Sequence, residues 1–175
     1  MLYSRKYLLS FLFLFNIVST LMSNPSAVQY VDLDRYMGRW YVIRNTPYFL
    51  EKDKVASYDT YTKRSDGKIE ADFTFKKNNF NSPEKIWKGV GVVQDTKSNA
   101  VWKVSFLWPL SSDYVVYALD KEYTWVVVGT KNADLVWVLS RTRQLSDDIS
   151  RTICAVLKDK NIATDKLVIV PQPTN

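Results

Sequence analysis

The chain has 175 residues, 24 of them Lys or Arg and 18 Asp or Glu, with no histidine and one cysteine. That length predicts one domain with one core, and 5 glycines with 6 prolines exclude a low-complexity chain. Without histidine the usual imidazole base and the commonest metal ligand are missing, so no nucleophilic triad, no ordinary zinc or haem site and no cofactor is expected.

Arg5-Lys6, the apolar run Tyr7 to Met22 and the polar Ser23-Asn24-Pro25-Ser26 have the layout of a secretory signal peptide. The expected division is a leader over 1–23 and one domain over 24–175. An uncleaved membrane anchor is the alternative, although the run is short for a full span. Removing Arg5 and Lys6 lowers the formal charge from +6 to +4. The remaining basic residues, such as Lys63-Arg64 and Lys76-Lys77, are scattered among acidic neighbours. A contiguous basic stripe is absent, so nucleic acid is not an expected partner.

The first predicted strand, Trp40 to Asn45, is opened by Gly38-Arg39-Trp40-Tyr41. Glycine at a strand entry permits close backbone approach, and a tryptophan two residues on can plug the base of a closed sheet. The second strand, Ala56 to Lys63, ends at the turn Arg64-Ser65-Asp66-Gly67. Its alternation predicts Ala56, Tyr58, Thr60 and Thr62 inward, against Ser57, Asp59, Tyr61 and Lys63. In the third, Lys68 to Phe75, Ile69, Ala71, Phe73 and Phe75 share one face. Lys85 to Val93 follows, then Val101 to Phe106, where Trp102, Val104 and Phe106 oppose Lys103 and Ser105. Tyr114 to Asp120, Trp125 to Gly129 and Leu135 to Ser140 complete eight strands. These last three are apolar on both faces, which requires an outer cover. The cover expected is a helix over Asp147 to Lys160, capped by Ser146, with Asp147 and Asp148 in its first turn and an apolar stripe of Ile149, Ile153, Val156 and Leu157. The single cysteine, Cys154, falls on this helix as a small core residue, and a short strand, Leu167 to Val170, ends the pattern.

The fold class expected is all-β: an eight-stranded antiparallel up-and-down β-barrel with one C-terminal α-helix packed outside. Barrels of this size either fill with side chains or hold one small ligand. Small residues in mid-strand (Ala56, Ala71, Gly89, Gly91, Ala118) beside large aromatics favour a cavity. A fully packed barrel or a sandwich is the alternative. Arg141, far along the chain, is expected to lie over the Trp40 indole at the closed end.

These segments together resemble the lipocalins, and within them the bacterial lipocalins related to apolipoprotein D. Gly38-x-Trp40-Tyr41 is similar to the family's first conserved region, Tyr117-Ala118-Leu119-Asp120-Lys121-Glu122-Tyr123 to its second and Leu139-Ser140-Arg141-Thr142 to its third. Lys103-Val104-Ser105-Phe106 and Trp137 to Thr142 resemble the bacterial branch in particular. The likeness runs from about Val31 to Pro173. It implies a binder of fatty acids, lysophospholipids or other small apolar molecules. Bacterial members are usually lipid-anchored in the outer membrane, but no cysteine follows the apolar run here, so an exported protein, periplasmic or secreted, is implied.

The leading expectation is therefore a non-catalytic carrier of a small hydrophobic ligand, as monomer or homodimer. The ligand-binding candidates are Ala56, Tyr58, Ala71, Phe73, Trp87, Trp102, Val104, Phe106, Tyr114, Val116 and Trp137, each equally readable as core. Gly38, Trp40, Asp120 and Arg141 are structural candidates at the closed end. A tetrapyrrole or pigment binder and a lipid-modifying enzyme on the same barrel are the alternatives, the latter lacking any evident acid–base pair. The loops expected at the open mouth (Thr46 to Val55, Lys76 to Pro83, Leu107 to Asp113, Thr130 to Asp134) carry Phe49, Phe80 and Trp108 beside Lys52, Lys54, Lys76 and Lys77. That combination suits transient contact with a membrane surface. The competing expectation is that the first loop folds over the mouth as a lid.

Overall fold

A computed structural model of the chain describes residues 25–107 and 109–174. The expected leader and Trp108 lie outside the described residues. Asp32 caps one short helical turn, α1 (Leu33–Tyr36), its carboxylate accepting from the amides of Asp34 and Arg35. The chain then enters β1 (Gly38–Asn45) through Gly38, whose φ is +93°. That backbone conformation strains any side chain, so the glycine is needed here.

The strands that follow are β2 (Lys54–Lys63), β3 (Ile69–Lys77), β4 (Glu84–Trp87), β5 (Val90–Val93), β6 (Val101–Leu107), β7 (Leu110–Leu119), β8 (Trp125–Gly129) and β9 (Val136–Ser140). Neighbours pair antiparallel, and β1 pairs back with β9 to close the barrel. Helix α2 (Asp147–Asp159) comes next, and β10 (Val168–Ile169) adds to β1. The wall counts as eight strands because β4 and β5 are halves of the fourth predicted one. Both pair with β3, β4 opposite Phe73 to Lys76 and β5 opposite Ile69 and Glu70. The break falls at Lys88-Gly89, where a Cβ on Gly89 would stand 2.6 Å from the Ala71 carbonyl oxygen and 2.8 Å from the Phe106 ring. Gly89 thus admits a neighbouring strand and an aromatic ring, and leaves no ligand space.

Two apolar clusters hold the domain. One fills the lower barrel around Trp40, Tyr36, Trp102 and Leu139. The other lies between the outer faces of β7 to β9 and α2, where Ile153 and Leu157 pack with Tyr117, Val127, Val136 and Val138. This is the cover that the doubly apolar strands require. Ser146 caps α2 by accepting from the Ile149 amide. Cys154 is half-buried, its Sγ 4.0 Å from Arg44 Nη1.

Two expectations fail for identifiable reasons. The segment 107–113 is mostly strand, with Leu107 opposite Leu110 in a tight β6–β7 hairpin, so the loop expected there shrinks to its tip. On β2 the inward set is reversed. Val55 pairs with Lys76, yet Tyr58 pairs with Thr74, so β2 carries one extra residue against β3. Had the upper register continued, Ala56 and Tyr58 would face the interior with Phe75 and Phe73. The bulge moves Asp59 and Tyr61 opposite Phe73 and Ala71 instead. Ala56, with φ +52°, sits in the bulge, and its amide donates to the Pro171 carbonyl.

Candidate functional site

The lower end of the barrel is shut by Trp40, fully buried, whose Nε1 donates to the Tyr36 carbonyl at 2.8 Å. The Arg141 guanidinium lies over its indole, Cζ 3.7 Å from the ring centroid. The same guanidinium donates to the carbonyls of Arg35, Tyr36, Met37 and Arg39 at 2.7–3.1 Å. Those carbonyls end α1 and start β1, so one side chain fixes the junction that the glycine makes possible. Burial lowers the Arg141 pKa from its ordinary value. Asp120 acts nearby on its own turn, accepting from the Thr124 hydroxyl at 2.6 Å.

Above this plug stands a tier of aromatic rings. Tyr36, Tyr61, Trp102 and Tyr114 form a chain of ring contacts with centroids 4.9–5.9 Å apart, and the hydroxyls of Tyr36 and Tyr114 share a hydrogen bond of 2.6 Å. Burial raises all three phenols well above their ordinary values, so they stay neutral donors.

Over that tier the barrel contains a cavity of about 200 Å³. Seven of the eleven ligand-binding candidates line it: Ala71, Phe73, Trp87, Val104, Phe106, Tyr114 and Trp137. Trp102 stands behind Tyr61 and Tyr114, its Nε1 donating to the Asn99 carbonyl, and Val116 is buried in the same lower cluster. Tyr58 lies on the outer face of β2 against Tyr41 and under the Arg39 guanidinium. Ala56 stays in the bulge, away from the cavity lining.

The walls also include residues that alternation alone did not mark: Val42, Asp59, Tyr61, Ser112, Asp113, Val128 and Leu135 from the strands and their ends, and Tyr48, Leu50 and Glu51 from the first loop. That loop bends over the mouth in one 3₁₀ turn, Phe49–Glu51. Glu51 pins it, with Oε2 accepting from Asn45 Nδ2 at 2.7 Å and from Trp137 Nε1 at 2.9 Å. Burial raises the Glu51 pKa in spite of those two donors. Asp59 is half-buried on the cavity wall, and burial, then the Glu51 charge, push its pKa to about 7, against the opposing hydrogen bond from Tyr61. The signal for both carboxyls lay in the pattern: one bulge in β2 and an acid inside an aromatic loop.

The side chains of the first loop divide between cavity and solvent. Tyr48 and Leu50 turn onto the cavity, while Phe49 is 79% exposed. Phe80, Ile86, Trp87, Phe106 and Leu110 are also exposed around the mouth. Lys54 Nζ lies 4.2 Å from the Trp87 ring centroid and 4.4 Å from that of Phe75. A larger groove of about 790 Å³ runs outside the barrel between the first loop and β10, but Lys52, Asp53 and Lys54 line it and it is open to solvent. The enclosed, aromatic-walled space is the one that suits an apolar ligand.

A family model described as a lipocalin-like domain matches residues 31–172. The outer membrane lipoprotein Blc of Citrobacter freundii is 33% identical over 153 residues, covering 85% of this chain and 83% of that protein. Apolipoprotein D of Cavia porcellus is 28% identical over 164 residues, with 85% and 81% covered. Among solved structures, insecticyanin from the tobacco hornworm Manduca sexta superposes with a TM-score of 0.72 at 14% identity, over 87% of this chain and 86% of that one. Closed antiparallel barrel, plugged base, outer helix and a match over most of the chain agree: this protein belongs to the lipocalin family.

Proposed function

We propose that the chain is a non-catalytic carrier that takes one small hydrophobic ligand of the lipid class into its barrel cavity. The observation that carries this reading is the enclosed cavity itself, walled by Phe73, Trp87, Phe106 and Trp137 above a sealed base. Lipocalins as a family bind small hydrophobic ligands, which supports it. Burying an alkyl chain gains about 0.8 kcal/mol per methylene, so a ten-carbon chain contributes roughly 8 kcal/mol before ordering costs. Ligand pockets commonly run roughly 300–1,000 Å³, so a cavity of about 200 Å³ takes a slim chain, or a larger body once Leu50 and Trp87 swing aside. Trp87 and Trp137 make the test direct. Decanol or a lysophosphatidylcholine is expected to change tryptophan emission saturably, at about one ligand per chain, and Phe73→Glu is expected to weaken that response at least tenfold by placing a charge on the wall. No saturable change with either lipid overturns the carrier reading.

The likeness to Blc, an outer membrane lipoprotein, supports an exported protein that works beside a membrane. No helix among the described residues is long and apolar enough to cross one. The exposed rim of Phe49, Phe80 and Leu110, near Lys52 and Lys76, supports shallow docking on an anionic bilayer, where the ligand enters. Phe49→Ser with Leu110→Ser is expected to slow transfer of a fluorescent lipid out of anionic vesicles several-fold. Affinity for the same lipid offered as a monomer should change less than twofold. An equal loss in both quantities would place these side chains in the pocket.

A further inference from the structure

The cavity is apolar in most of its wall, yet its charged lining is of one sign. Asp59 and Glu51 face it, and no lysine or arginine is among its described lining residues. One of these two acids is answered by the protein. Glu51 accepts from Asn45 and Trp137, while Asp113, which borders the cavity, turns to Lys103 on the outer face at 2.8 Å. Asp59 is not matched in this way. Its Oδ2 accepts from the Tyr61 hydroxyl at 3.1 Å, and its Oδ1 has no hydrogen-bond partner among the described residues.

The cations close enough to matter are directed elsewhere. Lys54 stands at the mouth over Phe75 and Trp87, with its ammonium on the Leu50 carbonyl. Arg141 is below Trp40, its donors directed to main-chain carbonyls. A half-buried carboxylate with an open oxygen on a ligand cavity is free to accept from a donor that the ligand brings.

Resting on the carrier reading above, we propose that the ligand is an amphiphilic amine: an apolar body whose ammonium group sits on Asp59 at the cavity floor. An ammonium there gains a charge-assisted hydrogen bond and the faces of the surrounding tyrosine rings. A fatty carboxylate in the same place meets Asp59 and Glu51 in a poorly solvated space, where like charges repel strongly. The calyx therefore selects by charge as well as by apolar shape.

The groups facing Asp59 set its pH response. They are Tyr61 on its own strand, Tyr36 on α1, Tyr114 on β7 and Glu51 on the first loop, with Lys54 and Arg141 beyond the two ends. The phenols stay neutral through the physiological range, so the acids alone change the cavity's charge there. Discrimination is expected to be full where Asp59 is ionised and to relax as the pH falls below about 7.

The test compares three ligands with one tail: decylamine, decanol and decanoate, titrated by tryptophan emission below their aggregation limits. At about pH 8, decylamine is expected to bind at least tenfold more tightly than decanoate, with decanol between them. Asp59→Asn is expected to reduce the amine-to-decanoate ratio below about threefold, and Glu51→Gln to reduce it by less. Using both variants guards against one of them folding poorly. Decanoate binding as tightly as the amine at that pH overturns the proposal, as does a ratio unchanged in both variants. If decanol binds while either of those results appears, the carrier reading survives and the amine assignment falls. If none of the three binds, both fall together.

Discussion

Trp40→Ala is expected to destabilise the fold by about 3–5 kcal/mol, the cost of emptying a large buried aromatic site. For a chain of this length that lowers Tm by roughly 10–15 °C. The indole is fully buried, packs on Tyr36 at 5.3 Å between centroids and carries Arg141 on its other side. Its loss opens the cavity floor to solvent as well as removing apolar contact. Arg141→Ala is expected to cost less, about 2 kcal/mol, because water can reach part of the carbonyl cluster that the guanidinium now satisfies. The two losses are expected to be non-additive by about 0.5–2 kcal/mol, the range for a cation held over an indole. Thermal or urea unfolding of the two single variants and the double variant measures this. Strictly additive losses would mean that the stacking seen at 3.7 Å contributes nothing to stability.

The barrel was legible because its evidence is periodic. Strands such as β3, with Ile69, Ala71, Phe73 and Phe75 on one face, announce both their type and their buried side. The doubly apolar β8 and β9 announced a covering helix, and α2 supplies it. What alternation does not carry is a change of phase. One inserted residue at Ala56-Ser57 exchanges the two faces of β2, and that strand is ambiguous because Tyr58 and Tyr61 make either face plausible. The same limit explains Gly89. A small residue in a strand reads equally as ligand space or as room for a neighbour, and only the positions of Ala71 and Phe106 decide. Trp102 and Val116 point inward at the expected phase but at the wrong depth, because strand periodicity encodes the face and not the height along the barrel axis. The two acids in the cavity are the remaining case. Hydrophobic pattern places a charged residue outside by default, so a carboxyl that lies inside is visible only once register and loop course are known.

The second large effect expected is on the pH dependence of stability, and it follows from Asp59. Its carboxyl rises from an ordinary value of 3.8 to about 7 in the folded barrel, chiefly through burial and then through the Glu51 charge. A carboxyl raised on folding keeps its proton in the native state at pH values where the unfolded chain has lost it. The native state then binds more protons than the unfolded state, so stability falls as the pH rises between those two values. Above about pH 7 both states are ionised and the loss is complete; below about pH 4 both are protonated and it vanishes. At about 1.4 kcal/mol per pH unit, the Asp59 carboxylate costs the fold up to about 4 kcal/mol at pH 8. Asp59→Asn removes the titration while keeping an oxygen that can accept from Tyr61. The variant is therefore expected to be more stable than the natural sequence by about 2–4 kcal/mol at pH 8, and nearly equal to it at about pH 4. Urea unfolding of both proteins across that range isolates the effect, since groups that do not interact with Asp59 are shared and cancel in the difference, and the part carried by its coupling to Glu51 belongs to the pair. A difference that stays constant with pH would mean that Asp59 remains ionised in the barrel throughout. The prediction also separates the energetic roles of the site's acids: Glu51 is held by two donors and anchors a loop, whereas Asp59 weakens the empty protein and is stabilised only when a cation or proton reaches it.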